Sequence, residues 1–175
     1  MHKQKGYLFG GFFAVVLATA LFFGLRTQTE KTAFINMEKV YNEFELTQEL
    51  TAKLTEVAGK RQSVLDSMEV QLVQLRKVIE QGNRDEQVYS SYRQLSEQFQ
   101  YKQQSFAQDN EALSREYDQQ VMKQLNQYIR EFGEEKGYTF IYGANGNGSL
   151  MFAKDEKDIS EPVISFVNNK YQGKK

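Results

Sequence analysis

The chain has 175 residues, a formal net charge of −1, one Pro, one His and neither Cys nor Trp. The lack of Cys excludes a disulfide framework, a thiolate nucleophile and any Cys-based metal site. The near balance of charge excludes the basic stripe of a nucleic-acid-binding domain. Of 12 glycines only Gly59 and Gly82 lie between Leu25 and Phe132, and the single proline is Pro162. So long a stretch without Pro and nearly without Gly is not a many-turned sandwich or barrel; it reads as long helix.

Residues 1–26 hold 16 of the 70 hydrophobic side chains. The remainder is thin for a compact globule and suits an elongated shape with narrow apolar seams. Tyr7 to Leu25 is a run of 19 residues without a charge, preceded by Lys3 and Lys5 and followed by Arg26. Residues 1–26 therefore read either as a signal anchor or as a cleaved signal peptide. As a helix the run would be about 28 Å long, enough to span a bilayer. Ala18-Thr19-Ala20 has the small-x-small form of a cleavage site, but Leu21 to Leu25 continues the apolar run beyond it. The two lysines bias the N-terminus to the cytoplasm, so both readings deliver the rest of the chain across the membrane. Residues 27–32 are polar and form a linker.

Residues 33–37 are a short apolar strand. The arm predicted over 38–137 is a pair of long helices. Leu50, Leu54, Val57, Arg61, Val64 or Leu65, Met68, Leu72, Leu75 and Ile79 recur every three or four residues with one shift near 64–65, a coiled-coil stripe broken only by Arg61. Gly82-Asn83 suits a helix end and turn, and Asp85 can cap the second helix, placing the reversal near 82–85. The second stripe runs Tyr92, Leu95, Phe99, Lys102, Phe106, Asn110, Leu113, Tyr117, Val121, Leu125, Tyr128 and Phe132, ending at Gly133 or Gly137. Two such helices joined by a short turn run antiparallel. The seam centres on Leu50, Leu54, Val57, Met68, Leu75, Phe99, Phe106, Leu113 and Tyr117. Glutamines from Gln94 to Gln127 make the surface polar without charge, which reads as a solvated face or, alternatively, as an inner surface that tolerates an unfolded chain. The arm, taken over 38–136, has 13 basic against 18 acidic residues.

Residues 138–171 complete a body. Tyr138 to Tyr142 reads as a strand, Asn145-Gly146-Asn147-Gly148 as a turn, and Ser149 to Ala153 as the return strand of a hairpin. Ser160 or Asp158 caps a last helix, with Pro162 in its first turn. Three short strands make a poor sheet alone, which points to association with other subunits. The expected fold is mainly α with a small β part (α+β): a helical-hairpin arm on a short-stranded β body.

No catalytic, cofactor-binding or metal site is expected. His2 is the only histidine and the carboxylates are spread along helices. Asp155, Glu156, Asp158 and Glu161 lack calcium-loop spacing. Gly143, Gly146 and Gly148 lack the Lys-Ser/Thr of a phosphate loop. An enzyme is not the expected reading.

The whole order of elements is similar to the Skp/OmpH family of periplasmic chaperones over residues 33–171: an export segment, the strand text Ala33-Phe34-Ile35-Asn36-Met37, the helical hairpin, a β-hairpin, and Asp158-Ile159-Ser160-Glu161-Pro162-Val163 opening the last helix. The resemblance implies a homotrimer whose strands, 33–37, 138–142 and 149–153 from each chain, close a small barrel, with the arms projecting around a cavity. It implies an ATP-independent holdase for unfolded outer-membrane β-barrel proteins, working in the periplasm without cofactor or nucleic acid. The protein would be soluble after cleavage, or tethered to the inner membrane through 7–25. Phe34, Ile35, Phe140, Tyr142, Leu150 and Phe152 are then the candidates for trimer core and interface. The acidic arm departs from strongly basic members, so electrostatic client capture and lipopolysaccharide binding are not carried over. The competing reading is a membrane-anchored coiled-coil scaffold or adaptor of the cell envelope.

Overall fold

The computed structural model of the chain describes residues 30–82, 84–146, 148 and 150–174. Residues 1–26, with the expected anchor or signal peptide, lie outside them, as do residues 27–29 of the linker. Among the described residues no helix is long and apolar enough to cross a membrane.

The fold is mainly α with one small sheet. Strand β1, Thr32–Asn36, alternates half-buried and buried residues, with Ala33 and Ile35 facing inward. Asn36 ends the strand and caps helix α1, Met37–Glu43, its Oδ1 accepting a hydrogen bond from the Lys39 N–H at 3.0 Å. After a one-residue break at Phe44 the chain continues as α2, Glu45–Glu80. It reverses and returns as α3, Glu86–Lys136. At 1.5 Å per residue these are about 54 Å and about 77 Å long. Gly82, at φ 89°, turns the chain out of α2, and the Asp85 carboxylate accepts from the Gln87 N–H at 2.9 Å to start α3. Gly137, at φ 69°, ends α3. Gly133 lies inside α3 and is buried; a Cβ there would stand 3.4 Å from the Ile141 side chain, so it marks a close approach and not the helix end.

Strand β2, Phe140–Ala144, pairs with β1 in parallel, from Thr32 opposite Phe140 to Asn36 opposite Ala144. This corrects the expected hairpin of 138–142 with 149–153. The strand starts two residues later, its partner is β1, and residues 150–153 form no strand. The physical reason is the long crossover. The chain leaves β1, travels out and back along the arm, and re-enters beside β1 in the same direction, which satisfies β2 without a return strand. Gly143 sits in β2, opposite Ile35, where a Cβ would come within 2.8 Å of Met37. It provides room for that side chain and is not part of a turn. A short 3₁₀ turn, Asp155–Lys157, precedes α4, Ser160–Tyr171. The N-cap of α4 is Ile159, without a side-chain cap, and not Ser160 or Asp158 as expected; Asp158 accepts from the Ser160 N–H and hydroxyl, and the Ser160 hydroxyl accepts from the Asn36 N–H at 2.8 Å.

One core sits where these elements meet the root of the arm. Ile35, Val40, Phe44, Val121, Leu125, Val163 and Val167 are its fully buried side chains. Phe44 is the largest of them, and its ring packs edge-on against Tyr128 and Tyr171, at 6.2 and 5.6 Å between centroids. Phe44→Ala is expected to lower the unfolding free energy by about 3–5 kcal/mol. Urea unfolding followed by circular dichroism tests this; a loss under about 1 kcal/mol would mean that the site collapses around the missing ring.

Candidate functional site

The arm is positioned by its root. A helix interrupted at Phe44, with φ −75° and ψ 125°, leaves a carbonyl and an N–H without helical partners. Asn168 of α4 serves both: its amide donates to the Glu43 carbonyl at 3.0 Å and accepts from the Glu45 N–H at 2.9 Å. Around this amide α4 reaches both arm helices. Tyr171 and Gln172 bond Glu49 and Glu45 on α2, and Lys170 pairs with Glu131 and Glu135 on α3 at 3.3 and 3.1 Å. The hydrogen bond to Glu49 raises the Tyr171 phenol above its usual pKa, and the Lys53 ammonium, more than Tyr171, lowers Glu49. On α1, burial with a hydrogen bond to Asp118 pushes the Tyr41 phenol up to about 12.

Beyond the root the two helices meet along a thin seam. Leu50 and Met68 are buried; Leu54, Val57, Leu75, Phe99, Phe106, Leu113 and Tyr117 are half-buried. Of the three polar residues that interrupt the two stripes, Arg61 and Asn110 meet across the seam, and Lys102 lies beside the same Phe106 ring as Arg61. Arg61 bonds the Asn110 side chain and stands 3.7 Å from Asp109. Its guanidinium and the Lys102 ammonium lie 5.7 and 5.3 Å from the centre of the Phe106 ring. Arg61 and Asn110 border a cavity of about 280 Å³ floored by Leu65, Phe99 and Phe106. A long seam with a cavity and a polar knot at mid-length bends there more easily than an all-leucine one.

The body leaves an apolar surface uncovered. Phe140 and Tyr142 are each 49% exposed, and their rings stack at 6.0 Å. Met151 and Phe152 are 86% and 82% exposed. Leu150 is half-buried. Of the other candidates, Phe34 is half-buried and its carbonyl accepts from the Ile159 N–H at 2.9 Å, while Ile35 lies in the core of its own chain. The structure thus brings Phe140 and Tyr142 together and leaves Phe152 extended into solvent. Asp155, Glu156, Asp158 and Glu161 form no metal-holding group with other described residues.

Sequence reasoning did not reach Phe44, Asn168 or Met151. Phe44 lies off the stripe that begins at Leu50, and that mismatch is the only signal it carries. Asn168 is a poor helix former on the last helix, a hint that its amide has a partner elsewhere.

This geometry makes two outcomes testable. Asn168→Ala leaves two backbone groups of the break unpaired and is expected to cost about 1–3 kcal/mol for each that stays buried. Asn168→Asp, which keeps only the acceptor, should also destabilise. Thermal unfolding of the two variants checks this, and equal stability of Asn168→Ala and the parent would show that water replaces the amide. For Tyr41 the folded-state pKa lies above the unfolded value near 10. Its stabilisation is therefore complete below pH 10 and fades as pH rises toward 12. Tyr41→Phe should flatten the loss of stability across that window, measured by urea unfolding at each pH.

The chain matches the family model described as Outer membrane protein (OmpH-like) over residues 31–166. No curated protein matches the sequence. Among solved structures, the fold is similar to an OmpH-like protein of Caulobacter crescentus CB15, itself proposed to be an outer membrane chaperone and determined at 2.83 Å resolution. The TM-score is 0.70 at 15% identity, covering 82% of this chain and 87% of that one. With the family model spanning well over half of its length, this chain belongs to the OmpH-like family.

Proposed function

We propose that the protein is a periplasmic chaperone of the holdase type, which keeps unfolded outer-membrane β-barrel proteins soluble without ATP, inside a cavity enclosed by the arms of three copies. The observation that carries this is the pairing of two unfinished features in one chain. The body exposes Phe140, Tyr142, Met151 and Phe152 beside a two-stranded sheet. Such a sheet is marginal by itself and leaves an edge that other chains can complete. The arm buries only a seam and carries its remaining surface into solvent. Association through the bodies would cover the apolar rings, and arms fixed at their roots by α4 would then project together from the assembly. Membership of the OmpH-like family supports a chaperone role and a site of action in the periplasm.

In this reading binding is passive. The arm provides apolar and amide groups at half-exposed positions, and release occurs when the client folds and withdraws its own apolar surface. Residues 7–25 would tether the assembly to the inner membrane where they are retained, and set it free where they are removed.

Light scattering of the protein purified from cells should give the mass of three chains. The same preparation should prevent aggregation of a urea-denatured outer-membrane barrel protein on dilution. Phe140→Lys with Phe152→Lys should return it to monomers. A monomeric parent that leaves aggregation unchanged would overturn the proposal. Cross-linking in cells to one folded partner, in fixed ratio, would instead favour an envelope scaffold.

A further inference from the structure

The outer half of the arm, residues 64–103, exposes Val64, Val70, Val73, Val78, Tyr89 and Tyr101. In the inner half, residues 45–63 and 104–136, Met122 is the only large hydrophobic residue exposed among the described residues. Two of the valines belong to a pattern that the seam does not use. Ser63, Asp66, Val70, Val73, Lys77 and Glu80 follow one another at steps of three, four, three, four and three residues. That is a second heptad stripe on α2. At about 100° per residue it lies on the side of the helix away from the seam residues Met68, Leu72 and Leu75. All six side chains are exposed, Val70 at 57% and Val73 at 48%.

We infer that this stripe docks on the same stripe of a second copy of the chain, the two helices running antiparallel about a two-fold axis. The order of the residues selects that occupant, because the stripe is complementary to itself when reversed about the point between Gln71 and Leu72. Val70 then lies opposite Val73, Asp66 opposite Lys77, and Ser63 opposite Glu80. The two-fold axis makes each of these pairs twice, as in any isologous interface. Apolar pairs sit at the centre, opposite charges flank them, and a small side chain meets a long one at each end. A parallel pairing would set every position against its own copy, Asp66 on Asp66 and Lys77 on Lys77, and like charges oppose it. Arms that project together from one body run in the same direction, so the antiparallel contact joins two separate units. The overlap from Ser63 to Glu80 is 18 residues, about 27 Å of helix. That is small beside a standard interface, so a single contact is weak and reversible, and units with several arms gain by making more than one at once. The inference does not depend on the holdase reading.

Sedimentation of the protein purified from cells should show its smallest unit, of whatever chain number, associating reversibly as concentration rises. Asp66→Lys turns two attractive pairs into two repulsive ones and should weaken that association about tenfold. Asp66→Lys combined with Lys77→Asp restores the opposite charges and should recover the parent behaviour. These positions are exposed, so helix content should stay that of the parent throughout. The chain has no Cys, so direction can be read from disulfides. Ser63→Cys and Glu80→Cys proteins, mixed and oxidised, should form a cross-link that neither forms alone. Cross-linking of either variant to itself would mean parallel arms and overturns the inference. So does an unchanged association in Asp66→Lys, or a double exchange that fails to restore it. A parent that does not associate beyond its smallest unit overturns it as well and leaves the stripe to a different protein. That last result leaves the holdase reading standing, since the aggregation assay decides it separately.

Discussion

The interruption of a helix at one residue governs the architecture. α1 and α2 would be a single continuous rod if Phe44 took a helical conformation; it takes an extended one, and its ring drops into the core. This leaves backbone groups without helical partners. Asn168 satisfies two of them, and so α4 becomes part of the arm's foundation, not an appendage to the body. The aromatic pairs with Tyr128 and Tyr171 then tie α3 and α4 to the same point. Direction of the arm, closure of the core and position of the last helix are consequences of one break and the amide that satisfies it.

From that foundation outward the energetics change character. At the root, side chains from five elements bury one another completely. Along the arm each helix has only its partner, and the seam residues are mostly half-buried. A seam of this kind adds little stability per turn, and Gly59 and the knot of Arg61, Asn110 and Asp109 lower it further at mid-length. Stability is therefore graded from the core to the tip. Segments with few buried contacts open at lower free energy than the core. Under the proposed holdase function that gradient is useful, because the outer part of an arm could adapt to a client's shape while its root stays fixed.

How much of this could be read from residues alone depended on the range of the interaction involved. The helical hairpin was legible because its signal is local and repeated: a stripe on each helix, a Gly at each end, an Asp at the second start. The polar interruptions Arg61, Lys102 and Asn110 were visible one by one, but their meeting was not, since it depends on the register of two antiparallel helices. The β part was read less well. Asn145 to Gly148 read as a turn, and nothing local to Gly143 told that it lies in β2 against Met37. Parallel pairing across a hundred residues leaves no local trace, and a turn-rich segment beside an aromatic strand invites the hairpin assignment instead. Asn168 shows the limit most plainly. An asparagine on a helix says that an amide is available, and only the fold says which break it closes.

The distribution of exposed apolar side chains links structure to function. A monomeric soluble domain scatters such residues singly over its surface. Among the described residues they are gathered on the body and on the outer half of the arm, while the inner half exposes only Met122 among its large hydrophobic residues. The two groups also differ in kind. Those on the body are adjacent rings and side chains in a short segment, Phe140 with Tyr142 and Met151 with Phe152, the form of a surface built for one fixed partner. Those on the arm are mostly small and branched, four valines of α2 spread over about half of its circumference with Tyr89 and Tyr101 on α3. A fixed partner for the body and changing partners for the arm are what the proposed holdase assembly would require.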